Sequence, residues 1–317
     1  MINRMLPVAP RVPPSATASA PRTSPAAPRA SAIGVDGHYE NFPVASWLIP
    51  RAQRPFIQAV YRFARHADDV ADEGNTPDAE RVATLATLGT EIERLWAGQP
   101  AEALTAPTVR GLAPLHAGFP QIAAAPFLAL LSAFAQDVHK KRYADETELL
   151  DYCSRSANPV GRIVLRLFGL DDPQADAESD AICTSLQLIN FWQDAAIDAR
   201  RGRVYVPLDA LARFGLDPER FPFEGDHRAL MQAQCAWALR LMQDGSALLS
   251  RLRGRLRWEI AFTVAGGVRI LERIAARGYD VRERPLLGWY DLPIIGRRAV
   301  AVMRRGASAL RLEHSLK

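Results

Sequence analysis

Cysteine is scarce in this sequence: Cys153, Cys183 and Cys235 stand far apart, with no CxxC pair. Such a set supplies neither a disulfide framework nor a zinc signature, fits a reducing compartment, and reads as three small buried hydrophobes. Long apolar runs are missing as well. None approaches the ~20 residues a membrane-spanning helix requires, and the first residues lack the continuous apolar stretch of a secretory signal. A cytoplasmic protein is expected. Sustained alternating runs and Asn-Gly hairpin signals are absent, which excludes an extensive sheet. There is no glycine-rich dinucleotide fingerprint behind a strand and no 30-to-45-residue repeat of a solenoid.

A surplus of one charge is also missing from the part that folds. The net charge is +4, from 39 basic and 35 acidic residues. Four of the basic residues, Arg4, Arg11, Arg22 and Arg29, lie in an opening stretch without any acid. Setting them aside leaves basic and acidic residues in balance, so no nucleic-acid partner is expected.

What is present is helical patterning. Residues 1–36 are rich in Pro, Ala, Ser and Arg and read as a disordered tail that cannot offset its ordering entropy. Beyond them, segments 52–72, 77–97, 122–142, 145–169, 176–199, 225–252 and 256–277 carry apolar residues at three- and four-residue steps. Asp172-Pro173, Gly202 and Asp217-Pro218 separate several of these. The chain is read as all-α, with one helical domain over 37–292 and a basic segment over 293–317. Within that last segment "RRAVAVMRRGASALRL", residues 297–312, sets paired arginines around an apolar stripe. It fits either a solvated terminal helix on the body or peripheral contact with an anionic bilayer surface. Trp192, Trp237 and Trp258 are expected in the core.

Two acidic stretches carry the chemistry. In "YRFARHADDVADEG", residues 61–74, Asp68 and Asp72 are four apart; in "LQLINFWQDAAIDARRGRVYVP", residues 186–207, so are Asp194 and Asp198. On a helix this spacing stacks like charges on one face at a cost of a few tenths of a kcal/mol, ordinarily a solvated surface. Here the second pair follows Leu186, Leu188, Ile189, Phe191 and Trp192, and polar groups in so apolar a segment must find partners or line a cavity. Asn190 continues the stripe of Asp194 and Asp198, while Tyr61 and Arg65 precede the first pair at helical steps. Two antiparallel helices with facing carboxylate stripes would suit a hard divalent cation, Mg²⁺, which takes carboxylates together with substrate phosphates. Arg65, Arg203 and Tyr205 are placed to hold a diphosphate, and apolar walls would shield a carbocation from water.

These two motifs resemble the aspartate motifs of the squalene/phytoene synthase family, the head-to-head prenyl synthases. "LLDYCSRSANPVGRIVLRLFG" resembles the family's YC…VG segment and "HYENFPVASWLIP" its first substrate-contacting helix; the likeness runs from His38 to Leu292. It implies a single-domain isoprenoid-synthase helical bundle with a central cavity. "YENFPVAS", "SANPVGR" and "LQLINFWQD" are similar to the branch in bacterial hopanoid pathways, which implies ionisation of presqualene diphosphate and capture of the cation by water to give hydroxysqualene.

Carried over by position, Asp68, Asp72, Asp194 and Asp198, with Asn190, would hold two or three Mg²⁺ ions. His38, Arg65, Arg203 and Tyr205 would contact diphosphate. Tyr61 and Tyr152 would present ring faces to positive charge, and Phe42 and Gln187 would complete the wall. Gln193 stands where the family commonly carries Arg. Losing that cation weakens diphosphate binding and fits a chain that holds one diphosphate rather than two. Pro159 should break a helix, and Asn158 beside it is a candidate for orienting the quenching water. No NADPH is expected, and other hopanoid-pathway enzymes are implied as partners. The alternatives are a condensing squalene or phytoene synthase, and a non-catalytic scaffold of the same fold.

Overall fold

The computed structural model describes residues 48–72 and 75–312. The stretch 1–36, His38 and Phe42 lie outside the described residues. Within them the chain is helical throughout, with no strand. The first half comprises α1 (Arg54–Asp72), α2 (Asp78–Trp96), the short α3 (Pro107–Arg110) and α4 (Ala113–Gly118), and α5 (Ala125–His139). Then come α6 (Glu146–Ser156), α7 (Asn158–Leu167) and the long α8 (Pro173–Arg200). The second half adds α9 (Leu208–Arg213), α10 (Arg228–Gly245), α11 (Leu248–Arg251), α12 (Gly254–Ala276) and α13 (Leu292–Arg305).

α8 is the axis of the fold. It starts where the sequence signals it: the Asp172 side chain accepts a hydrogen bond from the Gln174 amide at 3.1 Å, and Pro173 opens the first turn. It ends at Gly202, whose φ of 75° only glycine adopts without strain. Every residue from 182 to 196 is buried, as in a helix packed on all sides. α6, α7, α10 and α12 surround it. The predicted 145–169 helix is two helices, because Pro159 lacks the amide to continue α6 and the chain breaks at Ala157.

Two apolar cores result. One, built from α1, α2 and α5, reaches Ile163 and Leu167 of α7. The other gathers α8, α10, α12 and α13. The arginine-flanked stripe of 297–312 belongs to the second core: Ala299, Val302 and Leu310 are buried in it, so its apolar side faces inward and cannot rest on a bilayer. Trp192 and Trp237 are buried as expected, but Trp258 is not; it stands on the outer face of α12, 40% exposed.

Candidate active site

The two cores do not meet everywhere. A cavity of about 810 Å³, its open mouth included, lies along their seam. Ile57, Val60 and Ala64 of α1, Val160, Ile163 and Val164 of α7 and Leu186 of α8 make it apolar, with Tyr61, Ser156, Gln187 and Asn190 as its polar members. Tyr61 and Gln187, expected in the wall, line this cavity, and so does Asn190, expected as a metal ligand.

Each acidic pair lies further along a helix that lines this cavity. On α1 the lining residues 57–64 precede Asp68 and Asp72; on α8 the lining residues 183–190 precede Asp194 and Asp198. The Arg203–Asp72 contact brings the C-terminal ends of the two helices together, which the antiparallel pairing expected from sequence would not do. Arg203, just past the end of α8, joins these ends directly by donating from both guanidinium nitrogens to the two Asp72 oxygens, one at 2.9 Å. Asp68, Asp194 and Asp198 are buried, which rules out a solvated acidic surface.

Arginines sustain carboxylates at such depth, since an unpaired buried charge is costly. Arg284 Nε donates to Asp194 Oδ1 at 2.5 Å. Arg65 pairs with Asp69 at 2.7 Å and lies 3.7 Å from Asp68. Burial opposes ionisation of Asp72, but the hydrogen bonds and charge of Arg203 outweigh it and hold the carboxyl below its usual range. Burial likewise works against the Arg203 cation, and Asp72 more than reverses this.

Asp137, in the last turn of α5, was not signalled by the sequence. It is an isolated acid in an apolar helix, with no acidic neighbour at helical spacing. The Tyr152 hydroxyl donates to its Oδ2 at 2.7 Å. Burial pushes its pKa up to about 7, a rise that Tyr152 and Arg203 partly oppose. Tyr152 and Tyr205 are buried in an aromatic stack rather than in the cavity lining. Tyr205 lies parallel to Phe191, ring centroids 3.9 Å apart, and Tyr152 sits 5.4 Å from Tyr143. Burial raises both hydroxyl pKa values, so both stay protonated. Asn158 is also buried behind the wall, its Oδ1 accepting the Thr184 hydroxyl at 3.0 Å.

Gln193 and Arg284 are linked. Gln193 is buried and its Nε2 donates to the Pro285 carbonyl at 2.7 Å, which fixes the segment that brings Arg284 to Asp194. Arg284 thus brings a cation beside Asp194 from some ninety residues onward, a distance at which no sequence spacing could have shown it.

Among the described residues, no three His, Cys, Asp or Glu side chains are gathered into a metal-holding cluster. The donor set nevertheless fits a hard cation. Buried carboxylates stand on two helices joined by the Arg203–Asp72 contact, and Asn190 Oδ1 is buried without a hydrogen-bond partner. Oxygen donors of this kind suit Mg²⁺ rather than zinc.

The sequence model of the squalene/phytoene synthase family matches residues 35–291. The chain is 37% identical over 289 residues to a hydroxysqualene synthase of Sinorhizobium fredii, covering 88% of this chain and 93% of that protein. It is 37% identical over 246 residues to a hydroxysqualene synthase of Rhodopseudomonas palustris, covering 75% and 80%. The crystal structure of squalene synthase HpnC from Alicyclobacillus acidocaldarius superimposes with a TM-score of 0.70 at 36% identity, over 77% of this chain and 90% of that one.

Proposed function

The chain belongs to the squalene/phytoene synthase family, and on that premise we propose that it converts presqualene diphosphate and water to hydroxysqualene and diphosphate in hopanoid biosynthesis. The observation that carries the reading is that α1 and α8 line one apolar cavity, each bearing an acidic pair, with Arg203 joining the end of one to Asp72 of the other. The identity to hydroxysqualene synthases supports the choice within the family.

In this reading Asp68, Asp72, Asp194, Asp198 and Asn190 would hold magnesium, which when bound would neutralise the departing diphosphate. Arg203, Arg284 and Arg65, which pair with carboxylates of the two motifs, would bind the diphosphate oxygens. The carbon–oxygen bond breaks and diphosphate leaves with the electron pair. The apolar wall excludes bulk water while the cyclopropylcarbinyl cation rearranges, and the Tyr61 ring offers its negative face. One water then adds its oxygen to the cation and loses a proton; no hydride is consumed. Asn158 is already engaged by Thr184, so Ser156, Gln187 and Asn190 are the polar wall residues left to orient that water.

Mass spectrometry of products from presqualene diphosphate and Mg²⁺, with and without NADPH, tests the reading. A C30 alcohol independent of NADPH is expected. Turnover of farnesyl diphosphate alone, or a hydrocarbon that requires NADPH, would overturn it.

A further inference from the structure

We propose that the outer face of α12 and the segment leading into α13 form a docking surface for an anionic lipid bilayer. It leaves the buried apolar stripe of 297–312 aside, although that segment supplies three of its arginines. Trp289 is 81% exposed and Leu292 61%, with Tyr290 and Leu286 exposed beside them in the chain. On α12, Trp258 and Phe262 are exposed with rings 6.0 Å apart. The two groups are continuous: Phe262 reaches Gly296 of α13, 3.9 Å from where a Cβ would stand, and Leu292 lies one turn before Gly296. Large apolar side chains gathered like this mark an interaction surface, and Trp and Tyr in particular favour the level of lipid headgroups.

Charge identifies the occupant. Arg253 and Arg255 at the start of α12, Arg297 within α13 and Arg304 and Arg305 at its end are exposed, and none is in an ion pair among the described residues. The acids nearby are committed inward: Asp291 is buried and binds Arg269 and Arg273, and Glu272 binds Arg269 and Arg298. Arg273 also lies 4.8 Å above the Tyr290 ring and holds it outward. An apolar surface with unpaired cations matches anionic headgroups over acyl chains. A second copy of this chain is the poorer fit, because two-fold pairing would set these arginines against one another.

The surface also adjoins the cavity rim. Arg284 pairs with Asp194 and Pro285 is held by Gln193; Trp289 follows four residues later, within about 14 Å of extended chain. A bilayer docked there lies beside the route of any water-insoluble substrate or product. The docking itself does not depend on which reaction the site performs.

Co-sedimentation of the full chain with vesicles of phosphatidylcholine, with and without 30% phosphatidylglycerol, tests this. Partitioning onto the anionic vesicles at least tenfold above neutral ones is expected, falling as salt rises. W289S and the double variant R297E/R304E should each lower it at least tenfold, with circular dichroism and turnover of detergent-dispersed substrate unchanged. Tryptophan quenching by brominated lipid should fall in W289F. Equal partitioning to both vesicles, indifference to these substitutions, or sedimentation velocity showing a dimer that W289S dissolves would overturn the proposal.

Discussion

Arg203 and Arg284 clamp Asp72 and Asp194 with guanidinium hydrogen bonds, and the site's response to substitution follows from that. Arg203→Ala strands Asp72 beside Asp137 and removes a proposed diphosphate ligand. We expect kcat/KM for presqualene diphosphate to fall about 10–100-fold, the size of effect seen when a group supporting metal ligands is lost. Arg203→Lys should recover only part of this, since lysine cannot make the two-pronged contact. Full activity in Arg203→Ala would remove Arg203 from the site.

Asp137 adds a pH signature. Its pKa in the folded chain is about 7, against an ordinary 3.8. Between those values the folded chain keeps a proton that the unfolded chain has lost, so this group's contribution to stability declines as pH rises and levels off above about 7. Asp137→Asn retains an acceptor for Tyr152 but cannot titrate. Urea midpoints should show the variant gaining on wild type from pH 4 to 7 and holding a constant difference above that; a constant difference throughout would contradict the assignment.

The residues that could be read from sequence are those whose meaning is local. Asp68, Asp72, Asp194 and Asp198 are spaced by the helix itself, and Tyr61, Gln187 and Asn190 fall on the same faces. Arg284 and Asp137 could not be read. One reaches its partner across some ninety residues, and the other is a lone acid at a position that periodicity assigns to core.

At the level of elements, close helix contact explains the glycines. A Cβ at Gly161 of α7 would stand 2.4 Å from Ser179 Oγ, and one at Gly245 of α10 would stand 2.5 Å from the Glu178 carbonyl and 2.8 Å from the Ile182 amide. The second clash is with backbone, which a rotamer change cannot relieve. Gly245→Ala should therefore push α10 off α8 and cost about 1–3 kcal/mol, lowering Tm by several degrees. A melting curve unchanged from wild type would show that the helices pack less closely than described. Long helices and the Pro159 break were legible because apolar periodicity and proline act locally. α3, α4 and α9 were not, being too short to show a period. Trp258 was misplaced because an aromatic residue at a helical step looks the same on a core face and on an uncovered one.

Across the whole molecule, the cavity exists because α1 belongs to one core and most of α8 to the other, and the seam between them stays open, lined by the two helices that bear the acidic pairs. Sequence could imply a pocket through resemblance, but not that it lies between two cores or that the C-terminal ends of both helices meet, since neither is encoded in any single segment. The claim that both helix ends act together on one metal–diphosphate group is tested most directly by thermal shift with inorganic diphosphate. At a hundredfold excess over Kd, ligand should stabilise the chain by about 2.7 kcal/mol, raising Tm roughly 5 °C. The account predicts this rise only when Mg²⁺ is present, and its loss in both Asp68→Asn and Asp194→Asn. An equal rise without Mg²⁺, or a full rise in either variant, would contradict it.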